Sequence, residues 1–207
     1  MSRSSSPGAG VPGAPGEQVM PELTHRQILT VLVGLMLAML VAALSQTIVA
    51  TALPTIVGEL GGQDQLAWVV SATLLTSTAS TPIWGKLSDL YGRKIMFRSA
   101  IGIFLVSSLA AGFAQNMGQL VGSRAVMGLG VGGPMALSQA IIGDVVSPRE
   151  RGRYQGYIGS VFGSVFGLAT VAGPLLGGFL VEHLSWRWTF WVGIPIGIVA
   201  LVVTNAS

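Results

Sequence analysis

Apolar positions in this chain gather into six long blocks, parted by short polar interruptions. A bilayer core about 30 Å thick is crossed by roughly 20 residues of apolar α-helix. The blocks run from about Gln27 to Ile56, Leu66 to Gly85, Ile95 to Ala114, Gln119 to Ile142, Tyr154 to Val181 and Trp188 to Val203. Pro54 lies near the far end of the first. The pattern predicts an all-α integral membrane protein with six transmembrane helices, occupying residues 25–207. Residues 1–24, rich in Ser, Pro and Gly, have too little apolar surface to offset the entropy of ordering and read as a disordered tail. The apolar run that follows is too long for a cleavable signal peptide.

Composition strengthens this picture. Of 207 residues, 51% are hydrophobic and 9% charged, against about 25% charged in soluble domains. With no cysteine, disulfide frameworks and thiolate metal sites are excluded. His25 and His183 lie at span ends, too far apart in sequence to suggest a metal site. No cofactor is expected. The net charge of +3 forms no basic stripe, so nucleic acid is not an expected partner.

The charges sit between the spans, and their side matters more than their sum. Arg3 and Arg26 precede the first span; Lys86, Arg93, Lys94 and Arg98 lie at the second connection, and Arg149, Arg151 and Arg153 at the fourth. Only Arg187 lies in the opposite loops, and Arg124 falls inside the fourth span. The positive-inside rule therefore predicts that both termini face the cytoplasm.

One connection, GKLSDLYGRK (85–94), holds more than topology requires. It sets Asp89 between two glycines, Gly85 and Gly92, and follows it with Arg93 and Lys94. As a tight turn it would use both glycines for their backbone freedom. Arg124 is the second anomaly. A charge within an apolar run costs about 2.5–3.5 kcal/mol on insertion scales, so it faces either a polar partner or the interface by snorkelling. The glycines of GLGVGG (128–133) fit a dinucleotide fingerprint, but no strand precedes them, and close helix packing is the better reading. In the fifth span Gly159, Gly163 and Gly167 form one small-residue stripe and Gly156, Ser160 and Ser164 another. Gly173 and Pro174 are expected to kink that span. The five tryptophans, Trp68, Trp84, Trp186, Trp188 and Trp191, read as an interfacial belt. No nucleophile–base pair, metal cluster or phosphate loop stands in a credible context, so no enzyme is expected.

These stretches carry a resemblance. Gly85, Leu87, Asp89, Gly92, Arg93 and Lys94 match G-x-L-[AS]-D-x-x-G-R-[KR], the mark of the second connection in the major facilitator superfamily. LSQTIVATALPTI (44–56), GSRAVMGLGVGG (122–133), AGPLLGG (172–178) and WRWTFWVGIPIG (186–197) resemble the first-, fourth-, fifth- and sixth-span motifs of its fourteen-span drug/proton antiporters. The resemblance implies the N-terminal half of such a transporter, six helices in a 3+3 inverted repeat. It implies a gate at Gly85, Asp89, Gly92, Arg93 and Lys94, with Arg153 as another partner for Asp89. It further implies proton coupling at Arg124, a substrate cavity at Ser45, Gln46, Thr47 and Arg124, and an antiporter motif at Gly173, Pro174, Gly177 and Gly178. The implied partners are membrane lipid, an amphipathic cationic or neutral small molecule, protons, and a C-terminal bundle or a second copy. The cell membrane is the expected location.

The chain departs from the pattern at four places. Ser45 stands where the family usually has aspartate, Met127 for a frequent glutamine, Ala169 for a glycine and Gly193 for a frequent asparagine. Serine does not titrate in a useful range, and none of the eight acidic residues lies deep within a predicted span. A facilitator for another solute, or a six-span structural or regulatory partner without transport, therefore stays open beside the exporter.

Overall fold

The computed structural model describes residues 25–145 and 151–205. The expected tail at 1–24 and the side chains of Arg149, Arg151 and Arg153 lie outside what is described. Helix α1 covers His25–Leu60, α2 Leu66–Tyr91, α3 Arg93–Gly112, α4 Met117–Val145, α5 Arg151–His183, α6 Trp188–Trp191 and α7 Gly193–Asn205. A single 3-10 turn, Gln63–Gln65, joins α1 to α2. Helices α6 and α7 make one span, because Val192 donates its amide to the Trp188 carbonyl across their boundary. Six helical segments in the described residues are long and apolar enough to cross a membrane.

The helices overrun the predicted blocks, most clearly at the second connection. Helix α2 does not stop at Gly85 but continues to Tyr91, and α3 starts at Arg93. The expected ten-residue turn is thus a single residue. Gly92 adopts φ +91°, a conformation open to glycine at little cost, and reverses the chain alone. Gly85 is ordinary helix with open space where a side chain would stand. The loop reading failed because charge signals the water boundary, whereas helix continues as long as its backbone bonds do.

Packing follows the inverted repeat. Helix α2 lies along α4 as α5 lies along α1, and α3 packs on α4 as α7 packs on α1. Exchanging the first three spans with the last three maps each contact onto another. The α2–α4 and α5–α1 interfaces are built on glycines four residues apart. A Cβ at Gly128 would collide with Thr73 and Thr76, and one at Gly132 with Ser77 and Ser80. At Gly173 it would strike Thr47, and at Gly177 it would press on Ile48 and Thr51. Without a hydrophobic drive between helices in lipid, such close approach supplies the van der Waals contact that holds them. Gly130 and Gly133, on another face of α4, admit Ala100 and Phe104 of α3.

Many hydroxyls inside the bundle are satisfied locally. Thr76, Ser80, Ser107 and Thr204 each donate to a carbonyl three or four residues back on their own helix. The fifth-span stripe behaves differently from the expected packing surface. Gly156, Gly159, Gly163 and Gly167 are exposed, with nothing among the described residues near the place of a side chain. Helices α2 and α5 are also the least enclosed of the long spans, each only 22% buried over its apolar stretch.

The tryptophan belt needs correction. Trp68 and Trp188 are exposed, but Trp84 is buried and donates its Nε1–H to the Leu129 carbonyl at 2.7 Å, tying α2 to α4. Trp186 is fully enclosed. An indole in a bundle joins apolar bulk to one donor, so it goes inside wherever an acceptor waits.

Gly132→Leu is expected to lower the unfolding temperature of the detergent-solubilised protein, at a cost of about 1–3 kcal/mol or more from overpacking. Gly163→Leu is expected to leave it nearly unchanged. Circular-dichroism melts of the two variants check the contrast.

Candidate functional site

Arg124 sits on α4, and its side chain is 1% exposed. It does not snorkel. Its Nε–H donates to the Val69 carbonyl at 3.0 Å, while Thr73 Oγ1 donates to the Arg124 carbonyl at 3.0 Å, a reciprocal bond between α2 and α4. Nη2 donates to Gln46 Oε1 from α1, and Nη1 reaches Met127 Sδ at 3.7 Å. Met127 lies three residues along α4, on the same face. Ser45 Oγ donates to that same sulfur, also at 3.7 Å. Three helices thus converge on one guanidinium.

Of the residues grouped with Arg124 in the sequence, Ser45 and Gln46 meet it, directly or through Met127. Thr47 does not. It points to the other side of α1, where Oγ1 donates to the Ala169 carbonyl of α5 at 3.1 Å and rests against Gly173. A helix turns 100° per residue, so three consecutive side chains cannot share one wall.

At the Gly92 end, Arg93 Nη2 lies 2.9 Å from Asp89 Oδ1, and its Nη1 donates to Ser88 Oγ at 2.6 Å. The pair bridges the last turn of α2 and the first of α3. Asp89 is 65% exposed and Arg93 27%. Lys94 is exposed beside them. Gly92 caps both helices, with its amide bonded to the Ser88 carbonyl at 3.0 Å and its own carbonyl accepting from Met96.

Helix α5 runs unbroken through Pro174, which is exposed. Gly173 and Gly177 face α1, whereas Gly178 meets nothing. The motif is therefore a close-packing face with a proline on its outer side.

Residues 35–205 match the Major Facilitator Superfamily. The chain belongs to that superfamily. It is 44% identical over 169 residues to the Multidrug transporter protein MdtP of Bacillus subtilis, covering 82% of this chain and 30% of that protein. To Multidrug resistance protein 3 of the same species it is 42% identical over 184 residues, covering 88% of this chain and 35% of that one. The chain thus spans about a third of the length of these relatives. Among solved structures, the proton:xylose symporter XylE bound to 6-bromo-6-deoxy-D-glucose superposes with a TM-score of 0.70 at 16% identity, over 88% of this chain and 45% of XylE. At that identity the likeness concerns the fold.

The end of this superfamily bundle opposite Gly92 carries a cluster that the sequence reading missed. Trp186 Nε1 donates to Glu59 Oε2 at 2.7 Å, joining the α5–α6 turn to the end of α1. Arg187 stacks on Trp186, 4.6 Å from its ring centre, and donates to the Gly112 and Ala114 carbonyls at 2.7 and 2.9 Å. Those carbonyls end α3, where helices leave acceptors without intrahelical partners. The signal was present in Trp186-Arg187-Trp188, but its partners lie up to 127 positions away.

A double-mutant cycle of Glu59→Ala and Trp186→Phe is expected to show coupling of about 1 kcal/mol, as befits a hydrogen bond with one charged partner near a surface. Thermal unfolding of the four proteins measures it.

Proposed function

We propose that this chain forms the N-terminal half of a proton-coupled multidrug efflux transporter that exports amphipathic small molecules by alternating access. The observation that carries the reading is its 44% and 42% identity to two multidrug proteins across 82% and 88% of its length. The exposed apolar faces of α2 and α5 fit a second six-helix bundle as partner, with the substrate held between the two halves. Both termini and the Gly92 connection face the cytoplasm, following the basic residues.

Within this reading Asp89 and Arg93 gate the cytoplasmic side, with Gly92 as pivot and Gly85 and Lys94 flanking. Ser45, Gln46 and Arg124 form the cavity wall, and Arg124 takes part in coupling. Thr47, with Gly173 and Gly177, holds α5 against that wall, while Pro174 and Gly178 shape the far side of α5. The described acidic side chains, Glu59, Asp64, Asp89 and Glu182, all lie at or near helix ends. Within this reading a second bundle contributes the proton carrier.

Everted membrane vesicles containing this chain together with its second bundle provide the test. An imposed proton gradient is expected to drive uptake of ethidium or of radiolabelled 2-naphthoate that nigericin abolishes; gradient-independent or absent uptake of both overturns the reading. Asp89→Asn is expected to change stability by less than about 1 kcal/mol, because the pair is exposed. The same variant is expected to lose most of the flux, a combination that melts and uptake assays together resolve.

A further inference from the structure

Arg124 carries a full charge in a place that lipid and protein shield from water, yet every partner it has is neutral. Val69 offers a carbonyl, Gln46 an amide oxygen and Met127 a thioether. Among the described residues, the ion pair Asp89–Arg93 is at the Gly92 end and no carboxylate pairs with Arg124. A buried charge normally has a counter-charge, since desolvation costs several kcal/mol that neutral dipoles return only in part.

The deficit has a direction. Nε is held by the Val69 carbonyl, whereas the edge formed by Nη1 and Nη2 has one amide oxygen, on Gln46, and one thioether. A thioether at 3.7 Å is a weak acceptor. That two-nitrogen edge is the one a carboxylate takes with two parallel hydrogen bonds. Of the three partners, only Gln46 is itself partly exposed, so the way in from outside the bundle passes its side chain. Beyond it, one turn along α1, Ala50 is exposed. A rotation of Gln46 would open the edge of the guanidinium to an anion whose apolar body lies along α1.

We infer that Arg124 with Gln46 and Ser45 forms a carboxylate-binding subsite, so that this protein favours amphipathic organic anions over the cationic amphiphiles expected from the sequence. The inference rests on the efflux reading only in placing this wall beside a substrate path. Ser45 is the discriminating residue, because its hydroxyl shares Met127 Sδ with Arg124. An acid there would come within reach of the guanidinium and supply its counter-charge internally.

Binding, rather than transport, tests it. Purified protein in lipid nanodiscs is titrated with radiolabelled 2-naphthoate and, separately, tetraphenylphosphonium. The native protein is expected to prefer naphthoate by at least about tenfold, or roughly 1.4 kcal/mol. Ser45→Asp is expected to abolish that preference while keeping the fold, since it adds a partner for a buried charge. Arg124→Lys, which retains the charge but loses the two-nitrogen edge, is expected to weaken naphthoate several-fold; its melt is recorded alongside. Equal binding of the two probes, or naphthoate affinity unchanged by Ser45→Asp, overturns the inference, as does displacement of naphthoate by chloride alone, which would identify a simple inorganic-anion site. If naphthoate is preferred but no gradient-driven flux occurs in vesicles, the subsite stands and the transport reading falls.

Discussion

Lipid offers no hydrogen bonds, and the whole bundle answers to that constraint. Backbone groups are satisfied by unbroken helices, which is why α2 extends to Tyr91 rather than opening into a loop at Gly85. Some hydroxyls turn back to their own helices. Other polar groups find partners on neighbours, and between α2 and α4 they do so where glycines bring the two helices close. Gly128 and Gly132 bring α2 onto α4, and along the same seam lie the Thr73–Arg124–Val69 bonds and the bond from Trp84 to Leu129. Small residues and buried polar contacts are thus one device. Remove the close approach and the arginine loses the carbonyl it needs.

The described contacts at the two ends of the bundle differ in kind. At the Gly92 end, an exposed ion pair and a bond from Arg93 to Ser88 Oγ span a one-residue turn, and exposed pairs of this sort contribute about 0–1 kcal/mol. At the other end, a fully enclosed indole bonds a carboxylate, and an arginine caps α3 while stacking on that indole. Three separate parts of the chain meet there.

Span number, helical class and the positions of the unusual charges were legible from the residues. Each rests on local composition: apolar runs of sufficient length, and a cation where none belongs. The boundaries were less legible. Polar residues at 86–91 mark the edge of the apolar region, yet the helix runs on through them because nothing there interrupts its hydrogen-bond ladder. Gly92 and Gly85 look alike in sequence, and only backbone geometry separates the pivot from the ordinary helical residue.

The site divides in the same way. Arg124 announced itself by its setting, but whether it snorkelled or turned inward depended on Gln46, 78 residues away, and on the Val69 carbonyl. Thr47 belonged with Ser45 and Gln46 by adjacency and left them by helical rotation. The glycines of α4 and α5 were indistinguishable as patterns, yet those at 128 and 132 face α2 while those at 159 and 163 face outward. Sequence by itself determined that this is a six-helix membrane bundle with one intramembrane cation and a charged turn, because hydropathy and length are properties of each segment alone. Only the tertiary structure decided which partners that cation has, which glycines are contacts and which tryptophans are interior, because a helix face acquires meaning from the helix packed against it.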